Sequence, residues 1–340
     1  MSLQGTGSPS SKAVVDFLST ASAFPGRPTR VERIETHMSW VFLAGDLVYK
    51  MKKPLRLDFV DFSTLEARRR NCERELALNQ RLAPGIYLDV VPLMQRADGE
   101  LELGGSGVPV EWLVVMCRLH ERRLLDRAVA AGAATESDID GLCDLLAAFY
   151  CETPQIDIAP DELVAWWRGL VVLSERSLTD PRFGLARADV ADPLQALHDF
   201  LNRDAGLLAA RAVGRRILDG HGDLRPEHVH LGPPTRVIDR LEFDERLRRA
   251  DPFDEAEFLG LECERLGADW IGRRLREGLE RRLLDRPPVP LLRFYRCYRA
   301  CLRARLSIEH LRDPEPRTPE RWPRQARAYL MLALTPDRWD

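Results

Sequence analysis

Lysine is nearly missing from this 340-residue chain: Lys12, Lys50, Lys52 and Lys53 are the whole complement, and arginine supplies the other 46 of 50 basic residues. Long apolar runs are missing too. Nothing approaches the roughly 18 consecutive apolar residues of a membrane span, and the polar start MSLQGTGSPSSK lacks a charged-then-apolar leader pattern. We therefore expect a cytoplasmic protein with no membrane partner. The seven cysteines are scattered without a CxxC pair, which excludes a disulfide scaffold and predicts reduced, mostly buried thiols. Cys297 and Cys301, four apart, are too few soft ligands for a metal site of their own. There is no GxxxxGK[ST], no GxSxG elbow and no GxGxxG in a strand-to-helix turn, so P-loop, α/β-hydrolase and dinucleotide-binding readings lose support. With 50 basic against 53 acidic residues, no whole-chain charge excess argues for nucleic acid, and none is expected as a partner.

What is present is enough for a globular core, at 45% hydrophobic residues, and a length that favours two lobes. The Ser/Gly-rich residues up to about 12 read as mobile, Ala13 to Ala21 as a short amphipathic helix, and Pro25-Gly26-Arg27-Pro28 as a break. From Arg30, VERIE, WVFL and LVYKMKKP form strands of an antiparallel meander with its turn at Gly45-Asp46. The two-residue strand period puts Val48, Lys50 and Lys52 on one face and Tyr49, Met51 and Lys53 on the other. In a chain that uses arginine nearly everywhere, this lysine cluster marks a place where a compact ammonium is preferred to a guanidinium fork. A helix capped by Asp61 or Ser63 then runs through STLEARRRNCERELALNQRLA, carries Glu75, and ends at Pro84-Gly85. YLDVVPLMQ and the stretch from Glu102 to Met116 add strands around Gly104-Gly105-Ser106-Gly107. After Arg118 the patterns are mainly helical, at about 136–151, 161–176, 193–212, 253–284, 288–311 and 318–334, with a loop-and-strand island near 217–244.

That island holds the densest functional cluster, His221-Gly222-Asp223-Leu224-Arg225-Pro226-Glu227-His228, with Asp239 following at the end of the apolar run VID. Phosphoryl transfer needs one carboxylate for the attacking hydroxyl, a second for Mg²⁺ and a cation on the nucleotide phosphates. All three types are present. Two competing readings are weaker. His221, His228 and His230 with Glu227 suggest a metal hydrolase, but no HExxH-like pair supports it, and the pair Asp223 and Asp239 could merely cap helices or turns. His221 itself is expected to be a core histidine that holds the loop by hydrogen bonds, with Asp223 doing the chemistry. Arg68-Arg69-Arg70 and similar runs read as solvated helix faces, Trp166-Trp167 with Phe294, Tyr295 and Tyr298 as core or substrate wall, and Glu242, Asp244 and Glu245 as a solvated turn in preference to a contact for a cationic substrate.

In the order of these motifs the chain resembles the aminoglycoside phosphotransferases and related small-molecule kinases of the protein-kinase-like fold. HGDLRPEH is similar to their HGD catalytic loop, and VID to the strand ending in the metal-binding Asp. ETHMSWVFLAGDLVYKMKKP, LDFVDFSTLEARRR and DPFDEAEFLGLECERLGA resemble a bacterial branch of unassigned substrate, so that the likeness spans about residues 30 to 310.

The resemblance implies an α+β, two-lobed protein-kinase-like fold, with a small antiparallel-sheet N-lobe and a larger helical C-lobe. Its divisions would be a partly flexible segment at 1–29, a nucleotide-binding N-lobe at 30–115, a hinge at 116–120 and a C-lobe at 121–340. It implies Asp223 as the catalytic carboxylate, Arg225 on the transferred phosphate, and Asp239 with His228 as metal ligands. Lys50 would meet the nucleotide phosphates, paired with Glu75, with Lys52 its rival; Ser39 in the THMS loop would cover them, and Met116 to Arg118 would meet the adenine. Asp254 would take a structural acidic position of the C-lobe. The implied activity is transfer from ATP, or GTP in its place, with Mg²⁺, to a hydroxyl of a small molecule.

Two departures from the family pattern stand out. His228 occupies a position usually held by Asn, and imidazole is softer than the oxygen donors Mg²⁺ prefers. This motivates the alternative of a nucleotide-binding pseudokinase or regulatory protein without efficient transfer. THMS lacks glycine, leaving the Thr36 and Ser39 hydroxyls as donors. A protein-kinase reading fails on DRLEFDERLRRADPFDE, which has no APE-ended activation segment.

Overall fold

The computed structural model describes residues 9–57, 60–313, 315–316 and 318–334. The start of the Ser/Gly-rich stretch (1–8), Asp58 and Phe59 of the LDFVDF stretch, and 335–340 lie outside the described residues. The chain divides into two compact units, one reaching to His120 and taking in Arg236–Glu245, the other formed by Glu121–Thr235 and the chain from Arg246 onward. Among the described residues no helix is long and apolar enough to cross a membrane.

The sheet unit contains α1 (Ser11–Leu18), β1 (Val31–Glu35), β2 (Ser39–Ala44), β3 (Leu47–Lys52), the short β4 (Arg56–Leu57) and β5 (Val60–Asp61), α2 (Leu65–Asn79), β6 (Tyr87–Gln95), β7 (Leu101–Leu103) and β8 (Val108–Cys117). Six of the strands form one sheet in the order β1-β2-β3-β8-β6-β7, antiparallel at every junction. Directly paired residues share a sheet face, and Tyr49 pairs with Val115, Met51 with Leu113, and Lys50 with Val114. Tyr49, Met51, Leu113 and Val115 pack with Val14, Val15 and Leu18 of α1, whereas Val114 packs with Cys72 of α2 and Tyr87. The alternation read in LVYKMK is thus the alternation between two helix-covered faces. Ordered structure begins before Arg30, because Val14, Val15 and Leu18 are buried on the sheet.

Helix α2 is capped by Thr64, whose hydroxyl accepts from the Ala67 amide at 3.1 Å, and not by Asp61 or Ser63. Asp61 is engaged instead in a turn, accepting from the Ser63 amide and hydroxyl at 2.9 and 2.6 Å. The buried stripe of α2 is Arg68, Asn71, Cys72, Glu75 and Asn79. Arg68 anchors the helix start, donating to Glu111 at 2.8 Å and to the Phe62 carbonyl at 2.8 Å. The turn before β8 needs glycine, because a Cβ at Gly107 would stand 2.4 Å from the Gln95 carbonyl oxygen.

The second unit is helical: α3 (Leu125–Ala130), α4 (Glu136–Glu152), α5 (Pro160–Leu178), α6 (Arg187–Arg203), α7 (Ala205–Val213), α8 (Pro252–Arg265), α9 (Asp269–Leu283), α10 (Val289–Glu309) and α11 (Arg321–Leu332). The helical stretch expected over 253–284 breaks into α8 and α9 at Gly267, whose φ of +90° ends a helix. α8 and α9 then pack so closely that a Cβ at Gly260 would lie 2.9 Å from the Gly272 Cα. The stretch expected over 193–212 begins earlier, at Arg187, and breaks at Asp204. Trp167 meets Phe294 and Tyr298 edge-on at 5.2 and 4.9 Å within the main core, so these aromatics are core.

Candidate active site

In the sheet unit, β3, α2 and the segment Arg236–Glu245 bring five charged side chains into one chain of contacts. Lys50 Nζ lies 2.8 Å from Glu75 Oε1 and 2.6 Å from Asp239 Oδ1. Lys52 Nζ lies 2.5 Å from Glu75 Oε2 and 2.5 Å from Glu242 Oε1. The two-residue period of β3 puts both ammonium groups beside α2, and Glu75 gives one oxygen to each. Burial differs along the chain of contacts: the Lys52, Glu75 and Glu242 side chains are sealed, whereas that of Asp239 is 41% exposed and that of Lys50 15%. Asp239 is the open end.

Charge and burial oppose one another here. Burial is the largest influence on Lys50 and works to lower its pKa, but Asp239 and Glu75 outweigh it and hold the ammonium well above the ordinary lysine value. Burial likewise works to raise Glu75, and Lys50 and Lys52 overcome it, so its carboxyl sits below the usual range. For Glu242 burial prevails over Lys52 and the carboxyl is pushed up. Glu242, expected as part of a solvated turn, is instead 4% exposed and belongs to the site.

The backbone around Asp239 is held by groups that sequence reasoning missed. The Asp239 amide donates to the Tyr87 hydroxyl at 3.0 Å, the Arg240 amide to Asn79 Oδ1 at 2.9 Å, and Asn79 Nδ2 to the Glu75 carbonyl at 2.9 Å. Asp239 itself has φ of +61°, in the left-handed region that non-glycine residues seldom adopt. Asn79 is one helical turn beyond Glu75, and that spacing is the signal the sequence offers for it.

The other expected nucleotide residues are spread along the sheet. Thr36 and Ser39 close the β1–β2 turn on themselves: the Thr36 hydroxyl accepts from the Ser39 amide at 3.0 Å and donates to the Ser39 carbonyl at 3.1 Å. Ser39 is 2% exposed. Met116 sits on β8 paired with Val48 and Tyr87. The Cys117 amide donates to Ile86 and the Arg118 amide to Asp46, both at 2.8 Å, so these two donors are engaged within the fold.

In the helical unit, Asp223, Arg225 and His228 lie together on one loop. Arg225 Nε is 3.3 Å from Asp223 Oδ2, and its Nη2 is 2.6 Å from Glu227 Oε1. His228 Nδ1 lies 2.9 Å from the Asp223 carbonyl oxygen, and a carbonyl accepts, so Nδ1 carries the proton. His221 Nδ1 accepts from the Asp223 amide at 3.2 Å, the loop-holding role expected of it. Beneath the loop, fully buried Glu255 accepts from the amides of His221 and Gly222, the latter at 2.6 Å, and from the Tyr150 hydroxyl at 2.9 Å. A Cβ on Gly220 would strike that carboxylate at 2.8 Å. Asp254, one residue earlier, pairs instead with Arg299 at 2.6 and 2.8 Å. The acidic residue that grips the loop is therefore Glu255, which turns inward from α8 beside Asp254.

Among the described residues no three His, Cys, Asp or Glu side chains are grouped to hold a metal by protein ligands alone. The histidine-rich hydrolase reading has no such cluster to rest on. Mg²⁺ is commonly held by one or two carboxylates with substrate phosphates, and the partly exposed carboxylate of Asp239 suits that mode.

No family model matches the chain. It is 34% identical over 294 residues to uncharacterized proteins of Mycobacterium tuberculosis and Mycobacterium bovis, a match that takes in 83% of this chain and 55% of theirs. The chain thus spans about half the length of these curated relatives. Among solved structures it is similar to a choline/ethanolamine kinase family protein of Mesorhizobium loti, with a TM-score of 0.55 and 13% identity over 95% of each chain. It is also similar to the aminoglycoside phosphotransferase APH(3'')-Id of Streptomyces rimosus in complex with ADP and streptomycin, with a TM-score of 0.51 and 20% identity over 86% of this chain and 97% of that one. A choline kinase of Cryptosporidium parvum gives a TM-score of 0.52 and 8% identity over 94% and 95%. These likenesses are ones of fold: the chain has the protein-kinase-like fold of the aminoglycoside phosphotransferases and choline/ethanolamine kinases, as its motif order implied.

Proposed function

We propose that the protein is a phosphotransferase that moves the terminal phosphoryl group of ATP, with Mg²⁺, to a hydroxyl of a small molecule. The observation that carries this reading is the position of Lys50 Nζ, 2.8 Å from Glu75 and 2.6 Å from Asp239, on a fold used by small-molecule kinases. Lys50, held charged by its two carboxylates, binds the nucleotide phosphates, and Glu75 orients it. Lys52, sealed at 1% exposure, is not the phosphate lysine. Asp239 would hold Mg²⁺, with His228 the second candidate ligand, and the cation would supply neutralisation of charge on the phosphate oxygens. Asp223 accepts the proton of the attacking hydroxyl, and Arg225, paired with Asp223 and Glu227, would meet the transferred phosphate. Residues Met116 to Arg118 border the nucleotide, whereas Ser39, 2% exposed and bonded to Thr36, shapes the β1–β2 turn without touching it.

Transfer is favoured over a purely regulatory role because the lysine, its glutamate and both aspartates are all present in a fold used for transfer. Thermal shift with ATP or GTP, each with and without Mg²⁺, tests the reading, since a ligand of the folded state raises apparent stability by mass action. A Mg²⁺-dependent rise is expected. No rise at millimolar nucleotide contradicts the site, and a metal-independent rise without turnover favours the regulatory alternative.

A further inference from the structure

We propose that Lys52 and Glu242 are positioning residues: a buried clamp that presents Asp239 and Glu75 to the reaction without touching the nucleotide. The inference rests on the function proposed above and adds to it a second ion pair. Lys52 and Glu242 are 1% and 4% exposed, which removes them from contact with any ligand. Their 2.5 Å contact joins β3 to the chain three residues beyond Asp239.

The clamp acts at two points. Upstream and downstream of Asp239 the segment is tied by the Val237 amide to the Leu82 carbonyl at 3.1 Å, by Asp239 to Tyr87, by Arg240 to Asn79, and then ionically by Glu242 to Lys52. A left-handed backbone at a non-glycine residue persists where the surroundings impose it, and these ties surround Asp239 on both sides. At the second point, Lys52 occupies Glu75 Oε2, so that Oε1 is the oxygen offered to Lys50. Without Lys52, the Glu75 carboxylate is free to turn both oxygens onto Lys50 and draw it from Asp239. A lone Lys-Glu pair would leave that orientation unfixed.

The test compares the parent protein with Glu242→Gln, and with the double variant Lys52→Met/Glu242→Leu. The double variant refills the site with apolar groups of similar size and folds even where a single charge removal does not. Two quantities are read: hydrogen exchange of the peptide spanning 236–245, and the enhancement of ATP affinity by Mg²⁺. The clamp predicts that both variants exchange this peptide at least about tenfold faster, while β2 and β3 exchange as before. It also predicts that in Glu242→Gln, which leaves Lys52 on Glu75, the Mg²⁺ enhancement falls about tenfold while metal-free ATP affinity holds, the scale of losing a supporting contact to a metal ligand. Lys52→Arg, which keeps the charge, should recover part of the enhancement. Unchanged exchange in both variants overturns the clamp. If the parent protein shows no Mg²⁺ enhancement at all, the phosphotransferase reading fails, and the exchange result still decides whether the clamp exists.

Discussion

The ammonium of Lys50 stands 2.6 Å from Oδ1 of Asp239, a residue 189 positions further along the chain. The cation assigned to the phosphates and the carboxylate assigned to the metal therefore neutralise each other. On the proposed function, ATP alone would compete with Asp239 for Lys50, and Mg²⁺ alone would compete with Lys50 for Asp239. Bound together, each ligand would free the group the other needs.

The first prediction is synergy. Calorimetric titration should show ATP and Mg²⁺ each raising the affinity for the other by about 5- to 150-fold beyond their association in solution, the usual range of coupling between sites. In Asp239→Asn that coupling should vanish while metal-free ATP binds as well or better. Retained coupling in this variant would remove Asp239 from the metal role.

The two lysines should separate by phenotype. Lys50→Met should lower turnover and ATP affinity, and Lys50→Arg should not restore them, since a planar guanidinium cannot replace a compact ammonium between two carboxylates. Lys52→Met leaves Glu75 and Glu242 buried against one fewer cation, a loss of about 3–5 kcal/mol for breaking a buried pair. Chemical denaturation of both variants distinguishes them: a larger stability loss from Lys50→Met than from Lys52→Met would contradict their assignments.

Much of the fold and of the candidate site is legible in the sequence. The shared face of Lys50 and Lys52 follows from strand period alone, and motif order singles out Asp223 and Asp239 as candidates. Glu242 is not legible, because an acidic residue in DRLEFDE reads as solvated turn until its partner on a distant strand is known. Asn79 and Glu75 lie on a stripe of α2 that is polar though buried, which blurs the apolar periodicity by which helix faces are recognised. Asp254 and Glu255 are neighbours of like charge, and only backbone direction at the start of α8 decides which one reaches the loop. Gly267 lies within a strongly helical pattern, where an isolated glycine is tolerated as often as it ends the helix.

Glu255 should matter to turnover as well as to folding. Glu255→Ala removes a carboxylate that accepts from His221, Gly222 and Tyr150. Charge-assisted hydrogen bonds of this kind contribute about 1.5–3 kcal/mol each. The expected result is a stability loss of roughly 5 kcal/mol or more and, in the protein that remains folded, a fall in kcat with little change in the ATP KM. Equal changes in kcat and KM would contradict a role in holding Asp223.

Stability should also carry a pH signature away from the site. Burial pushes the Glu257 carboxyl up to about 7, against the lowering influence of Arg276 at 3.8 Å. Its folded pKa exceeds its unfolded one, so the folded state binds the extra proton, and stability falls as pH rises from about 4.5 to about 7 and is level beyond. The full effect of such a shift is about 3 kcal/mol. Glu257→Gln should flatten this slope and be the more stable protein at pH 8; a variant with the parent's slope would contradict the assignment.

Acceptor-stimulated ADP release from Mg²⁺-ATP, measured over a panel of hydroxyl-bearing small molecules for the parent protein and Asp223→Asn side by side, addresses the central claim most directly. The account predicts that at least one acceptor raises ADP release in the parent, and that Asp223→Asn loses this by about 10²- to 10⁴-fold, the range for general-base catalysis, while binding ATP normally. Near-normal turnover by Asp223→Asn would contradict it.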